Sequence, residues 1–146
     1  MAVTAGFYGL GIKDFVCGTI DLQGDVFGFM LVNSGNTVDA DAHRYRSDVS
    51  GEVATGSGYT YGGATITGNT VSYDSASNEI RWDWNDPTFT SSSFSCTGAR
   101  VFRRNGGTSS ADELVLWVEF GGTETVSSGT FSYVVPATGA GAITWT

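Results

Sequence analysis

The strongest constraint on the fold is a pair of apolar stretches, residues 97–104 and 112–121, that flank a short polar segment. Side chains alternate between the two faces of a β-strand, so the second stretch can be divided into two faces. One face would carry Leu114, Leu116, Val118 and Phe120, and the other Val115, Trp117 and Glu119. The segment between the stretches, 105–110, consists of Asn, Gly, Ser and Thr, which suit turns. The pattern predicts two long antiparallel strands joined by a hairpin, with the second strand central in its sheet.

The first of these strands is less regular. Phe94 and Cys96 share one parity along the chain, whereas Ala99 and Val101 share the other. A β-bulge inserts one extra residue and reverses the alternation. A bulge at Gly98 would therefore bring all four side chains to one face.

Further strand patterns recur about every ten residues, with turn residues between them. They lie at 26–32, 64–67, 70–73, 79–84, 88–95, 130–135 and 142–145, with a brief extended piece at 19–22. The clearest alternation predicts that Ile80, Trp82 and Trp84 face the core and that Glu79, Arg81 and Asp83 face water. The spacing is typical of an all-β fold, and it predicts one domain over 1–146: an antiparallel β-sandwich, or a barrel-like sandwich.

Two segments depart from the strand pattern. Residues 1–5 are predicted to form a flexible arm, followed by a short amphipathic N-terminal helix over 7–17. Thr4 would cap this helix and Gly18 would end it. Residues 33–63 are predicted to form a long irregular loop, and a connection of this length in a compact domain usually has a function or small elements of its own.

Composition excludes several classes of protein. Lys and Arg number 7 against 15 Asp and Glu, which gives a net charge of −8. Nucleic acid is therefore not an expected partner, because its phosphates would be repelled. No apolar run reaches the length of a membrane span and no secretion signal is visible, so neither membrane insertion nor export is expected. Cys17 and Cys96 are expected to be unpaired small hydrophobic residues rather than a disulfide.

Catalytic and metal-binding patterns are sparse. The single histidine, His43, has no paired nucleophile, so no catalytic activity and no cofactor are expected. Asp39, Asp41 and His43 would form a metal cluster only in an extended segment, and a solvated loop is the simpler interpretation. Asp83 and Asp86 have the residue type of a glycosidase pair, but the neighbouring tryptophans are predicted to face the core.

Basic and aromatic side chains are the candidates for contact with a partner. Arg and Tyr are enriched where proteins bind proteins. The candidate contact residues are His43, Arg44, Tyr45 and Arg46 in the long loop, with Arg103 and Arg104 beside the hairpin tip. Alternatively, the loop arginines only balance the nearby acids Asp39, Asp41 and Asp48. Exposed tyrosines at 45, 59 and 61 would instead suit a carbohydrate-binding surface.

Several segments together resemble a family of small virion proteins of tailed bacteriophages. They are 71–75 (VSYDS), 118–121 (VEFG), 128–131 (SGTF) and 141–146 (GAITWT), with weaker likeness at 21–22, 48–49, 52–53, 58–60 and 62–64. The resemblance covers about residues 18–146 and includes no active-site signature.

The resemblance implies a structural function. Members of the family look like capsid decoration or cement proteins. By this likeness the chain would bind the outer capsid surface and stabilise the lattice of the major capsid protein, which would be its partner together with a possible second copy of itself. It would be assembled in the host cytoplasm and reside in the virion. A neck or tail protein and a carbohydrate-binding attachment module remain the alternatives.

Overall fold

A computed structural model describes residues 2–144 of the chain. Its elements are β1 (Thr4–Phe7), α1 (Gly9–Val16), β2 (Phe27–Val32), a 3₁₀ turn (Arg46–Asp48), β3 (Ala64–Thr65), β4 (Thr70–Asp74), β5 (Glu79–Asp83), β6 (Thr88–Arg103), β7 (Leu114–Ser132) and β8 (Gly141–Thr144). The strands form a large sheet in the order β1-β7-β6-β2-β3 and a small sheet in the order β4-β5-β8. The pairings are antiparallel. The predicted all-β sandwich with one short helix is confirmed.

The predicted hairpin is the framework of the large sheet. β6 and β7 pair along most of their lengths, and β7 is central because β1 pairs with its other side. Both strands are longer than predicted. The separate strands expected at 88–95 and 130–135 are the far ends of β6 and β7, although β7 stops at Ser132.

The irregularity predicted near Gly98 is present, with the extra residues on the partner strand. Cys96 pairs with Glu124, whereas Gly98 pairs with Glu119, so β7 gains residues at this level. Gly121 lies in this stretch with a φ of +78°, which suits glycine. The core face of β6 holds Phe94, Cys96, Ala99 and Val101, as predicted.

A second register shift reverses part of the face assignment in β7. Val101 pairs with Leu116 but Phe102 pairs with Leu114, which leaves Val115 as an extra residue. Leu114 therefore faces away from Leu116, and the prediction that they share a face is wrong. The bulge could not be seen in the alternation, because every residue involved is apolar.

The main core lies between the two sheets and is largely aromatic. Trp82 and Trp84 are buried in it, as predicted, and Trp82 packs edge-on against Phe27 with ring centroids 4.9 Å apart. A chain of ring contacts runs through Phe29, Tyr133, Phe120, Phe131, Phe94, Phe89 and Tyr59. Such ring pairs stabilise the core beyond the area they bury.

The other face of the large sheet lies beneath the loop 33–63. Tyr8, Met30, Phe102 and Leu114 form a smaller core there, and side chains of the loop such as Val49 pack against it. The loop is irregular, as predicted, apart from the 3₁₀ turn and isolated bridges. Its main chain is tied to the sheet, since Val53 N–H donates to Leu31 O at 3.0 Å and Leu114 N–H to Arg44 O at 2.8 Å.

The N-terminal predictions need two corrections. Thr4 and Ala5 pair with β7, so the arm expected over 1–5 is wrong at these two positions. These two residues form a regular strand because their backbone pairs with the central strand β7. The helix begins at Gly9 because Phe7 still pairs in β1, and Tyr8 rather than Thr4 occupies the N-cap position. Gly18 ends the helix at a φ of +74°, as predicted.

The remaining short segments differ in detail. Residues 19–22 form bends and turns rather than an extended piece. β3 comprises only Ala64–Thr65, and Gly63 before it has a φ of +65° and lies so close to β2 that a Cβ atom would stand 1.9 Å from Phe29 O. Trp145 and Thr146, which the sequence places in the last strand and in the family-like ending, lie outside the described residues.

Candidate interaction surface

The structure brings the predicted contact residues together at the base of the hairpin tip. Tyr45 forms an isolated bridge with Glu113, and Arg46 N–H donates to Asp112 O at 2.8 Å. The loop thus runs alongside the start of β7, close to the end of β6 where Arg103 lies. The loop residues and the hairpin residues therefore lie close together. They do not form an exposed basic patch, because several of the arginines are buried or paired within the chain.

Arg46 is an internal tie rather than a surface cation. Only 12% of its side chain is exposed, and its Nε donates to Asp112 Oδ2 at 2.9 Å. Its guanidinium also stands 3.9 Å from Glu52 Oε2 and 5.0 Å from the centre of the Phe102 ring. Asp112 itself is buried, and its Oδ1 accepts from Asn105 N–H at 2.8 Å. These contacts fasten the loop to both ends of the hairpin tip.

Arg104 lies in the same cluster. It donates to Gly62 O at 2.9 Å and to Gly63 O at 3.2 Å, and its guanidinium is 5.3 Å from the Phe102 ring centre. Burial and the nearby charge of Arg46 lower the pKa of Arg104. Two cations therefore share one aromatic ring, and the acids Asp112 and Glu52 offset their charge.

Arg103 is also engaged within the chain. Its Nε donates to Glu113 Oε2 at 3.1 Å, a second nitrogen lies 3.4 Å from Asp25 Oδ2, and the same nitrogen donates to Thr19 O. The side chain thus joins the hairpin to the turn before β2. Its committed hydrogen bonds leave little of the guanidinium for an outside partner.

Arg44 and His43 are only partly enclosed. Arg44 is 39% exposed, with its guanidinium 3.6 Å from Asp14 Oδ2 and 5.2 Å from the ring centre of Tyr45. The His43 ring lies 6.5 Å from that of Tyr8, and its Nδ1 is buried without a hydrogen-bond partner among residues 2–144. The ion-pair partners of the loop arginines are therefore Asp14, Asp112 and Glu52, and not the expected Asp39, Asp41 and Asp48.

The other sequence candidates have structural roles. Asp39 Oδ1 accepts from the N–H groups of Asp41 and Ala42 at 3.2 and 2.9 Å, which closes a turn. Among the described residues, no three His, Cys, Asp or Glu side chains are grouped to hold a metal ion. Asp83 accepts from Trp84 N–H and Asp86 from Val135 N–H, both at 2.8 Å. Both carboxylates therefore hold main chain in place.

The tyrosines of the loop do not form one platform. Tyr59 is a core residue whose hydroxyl donates to Glu52 Oε1 at 2.8 Å and accepts from Leu31 N–H at 3.1 Å. Burial, and then the charge of Glu52, raises the pKa of Tyr59, so the hydroxyl keeps its proton. Tyr61 is exposed, whereas Tyr45 is half-buried beneath Arg44.

The two cysteines are free and differ in access. Cys17 is exposed just after α1, whereas Cys96 is buried in the main core. Burial raises the pKa of Cys96 to about 12, which keeps its thiol protonated and unreactive.

The surface that the sequence did not reveal is an apolar groove of about 750 Å³ between the end of α1 and the small sheet. We call this the α1–small-sheet groove. Its apolar lining is Phe15, Val16, Ile20, Leu22, Val71, Ile80 and Ile143. Val16 is 72% exposed and Ile80 is 39% exposed, so the groove is open to solvent.

Ile80 lies on the predicted inward face of β5, which it shares with Trp82, but it is 39% exposed rather than buried. Its cross-strand neighbour on β8 is Ile143. The main core includes Trp82 but neither of these isoleucines, so this end of the inward face is open to solvent. Alternation identifies the face of a residue, but it does not show where the opposite layer stops.

The polar rim of the groove is acidic. Asp21 is the charged side chain among the described residues that line it. Hydrogen bonds from the N–H groups of Gly24 and Gln23 lower the pKa of Asp21, so its carboxylate stays ionised. Val16 and Gly18, at the C-terminal end of α1, form one end of the groove.

Comparison of the chain with protein-family models, with curated proteins and with solved structures finds no match. Within residues 2–144, no helix has the length and hydropathy needed to cross a bilayer.

Proposed function

We propose that the chain is a structural virion protein of a tailed phage, and specifically a head decoration or cement protein. It would bind the outside of the capsid and stabilise the lattice of the major capsid protein. The observation that carries this proposal is the sequence resemblance through 71–75, 118–121, 128–131 and 141–146. Catalysis has no part in such a function.

The geometry supports a protein that acts by binding another protein. The fold is a sandwich with an aromatic core, and the α1–small-sheet groove is an apolar groove open on its surface. Two of the family-like segments, β4 and β8, contribute Val71 and Ile143 to that groove. A protein that buries such a surface across subunit junctions adds interface area and raises the free energy needed to separate the subunits.

The rival functions are less well supported. A carbohydrate platform on the loop loses Tyr59, which is buried in the core and hydrogen-bonded to Glu52. A neck or tail protein would use the same kind of surface, and it differs from a decoration protein chiefly in copy number.

Copy number in the virion tests the proposal. Purified particles of the phage that encodes the chain would be analysed by quantitative mass spectrometry, with the major capsid protein as the internal standard. A decoration protein is expected in hundreds of copies per particle, and particles lacking it should lose integrity at a lower temperature. A few copies per particle would instead indicate the neck, the tail or host attachment, and absence from the particle would refute a virion role.

A further inference from the structure

The α1–small-sheet groove combines an exposed position with a strongly apolar lining. Val16 and Ile80 are large hydrophobic residues that remain in contact with water, and Leu22, Val71 and Ile143 complete the floor and walls. Three separate parts of the chain supply these residues: α1, the turn before β2, and the small sheet. Contiguous apolar surface of this kind marks sites that other molecules cover.

The size of the groove favours a short segment over a second globular surface. Seven apolar residues line it. A stable interface between two folded proteins uses roughly 20–30 residues on each side. A peptide segment that places two or three side chains in a groove needs far less area.

The charge around the groove favours a cationic segment. Asp21 lies on its rim with a carboxylate that accepts from Gln23 N–H, and the described residues that line the groove include no Lys or Arg. The chain as a whole carries a net charge of −8. A second copy of this acidic chain would be repelled, whereas a segment bearing Lys or Arg would be attracted.

We propose that the α1–small-sheet groove binds a short segment of a partner protein that presents two or three apolar side chains and a flanking Lys or Arg. The apolar side chains contact Val16, Ile80 and Ile143, and the cation lies beside Asp21. That the segment belongs to the major capsid protein rests on the proposed function. The binding chemistry itself does not depend on that assignment.

A random peptide library tests the binding chemistry without any capsid. Peptides of about 12 residues would be selected on the immobilised chain, and the enriched ones synthesised for measurement of their dissociation constants. Enriched peptides are expected to combine apolar residues with Lys or Arg. Failure to enrich any peptide, or enrichment of acidic peptides, would overturn the proposal.

Variants locate the binding on the surface. Val16→Asn with Ile80→Asn places polar amides among the apolar contacts without changing the charge, and it should weaken binding at least about tenfold. Val134→Asn is the control, because Val134 is an equally exposed valine outside the groove. Circular dichroism melting of each variant confirms folding. Equal binding by the parent and the groove variant would overturn the proposal, and so would equal losses in the groove variant and the control.

Asp21→Asn tests the charge preference separately. The asparagine amide oxygen can still accept from Gln23 N–H, so the turn is retained while the charge is removed. Affinity for peptides carrying Lys should fall about two- to fivefold, and affinity for their Lys→Gln versions should not change. Equal effects on the two peptides would show that the carboxylate does not recognise the lysine, and this would overturn the proposed charge preference.

A second copy of the chain and the capsid assignment remain distinguishable. Dimers of the parent that dissociate in the Val16→Asn, Ile80→Asn variant would identify a second copy as the occupant and would overturn the proposal.

Binding of parent and variant to undecorated capsids is measured in parallel. If peptides bind in the groove but capsids do not bind the parent, the proposed function fails and the groove assignment stands. If capsids bind both proteins equally, the proposal for the groove is refuted and the proposed function stands.

Discussion

The two faces of the large sheet are covered in different ways. One face packs against the small sheet through aromatic side chains, such as Phe27 against Trp82. The other lies under the loop 33–63, where Arg46 and Asp112 form a nearly buried ion pair beside a small apolar core. An apolar core loses stability in proportion to the volume removed, whereas a buried ion pair fails when either partner is lost. The two coverings should therefore respond differently to substitution.

Removal of Trp82 should produce the largest effect. Its side chain is 1% exposed and contacts Phe27 and Trp84 in the main core. Trp82→Ala leaves a cavity and removes the hydrogen bond from Nε1 to Leu22 O, and it should lower the free energy of unfolding by about 3–5 kcal/mol. Urea denaturation measures the change, with the exposed Tyr61→Ala as control. A variant that melts like the parent would contradict the assignment of Trp82 to the core.

Removal of Asp112 should rank second and should affect the other face. Asp112→Ala leaves the Arg46 guanidinium, which is 12% exposed, without its closest partner and should cost about 2–3 kcal/mol. Replacement of Arg46 with methionine in the same chain should recover part of the loss, because the unpaired charge is then gone. Denaturation of the two single variants and the double variant gives the coupling energy. Strict additivity would show that the two side chains are not coupled.

The same measurements test whether Arg46 behaves as a buried side chain or as an exposed arginine. An exposed arginine can be replaced with alanine without loss of folding, and the sequence interpretation of Arg44 and Arg46 as contact residues implies this for both. The observed burial of Arg46 removes that expectation for Arg46. Arg44, which is 39% exposed, still fits it. Whether these residues contact a partner stays a prediction.

Sequence periodicity predicted the first face well because that face is built from regular strands. The hairpin and the inward tryptophans follow from alternation alone. The second face is covered by a segment without periodicity, so nothing local indicated that Arg46 would reach Asp112, 66 positions away. The α1–small-sheet groove was missed for a related reason, since its exposure depends on where the layers end. Both features depend on how residues far apart in the sequence are positioned in the fold, and local alternation does not show this.

Loss of the Tyr59 hydroxyl should have an intermediate effect that links the two faces. Tyr59 packs among the aromatic rings of the main core, yet its hydroxyl bonds to Leu31 N–H and to Glu52, which faces Arg46. Tyr59→Phe keeps the ring and leaves a buried N–H and a carboxylate short of a partner, so it should cost about 1–2 kcal/mol. Tyr61→Phe is the matched control, because Tyr61 is exposed. An equal response of both variants in urea denaturation would indicate that the hydroxyl bridge contributes nothing.

Asp48 should give the smallest effect, and the effect should be lost in acid. Hydrogen bonds from the N–H groups of Tyr45 and Arg44, at 2.8 and 2.9 Å, lower the pKa of Asp48 from its ordinary value of 3.8. A carboxyl whose pKa is lower in the folded state contributes stability that is present above its unfolded pKa and is lost as pH falls through its folded pKa. Asp48→Asn should therefore be less stable than the parent at about pH 7 by no more than about 0.5 kcal/mol, because the site is exposed and solvent screens it. The difference should shrink below about pH 4, because the parent carboxylate is then protonated. Urea denaturation at about pH 7 and about pH 3 measures both values, and a difference that grows in acid would contradict the assigned direction of the Asp48 pKa.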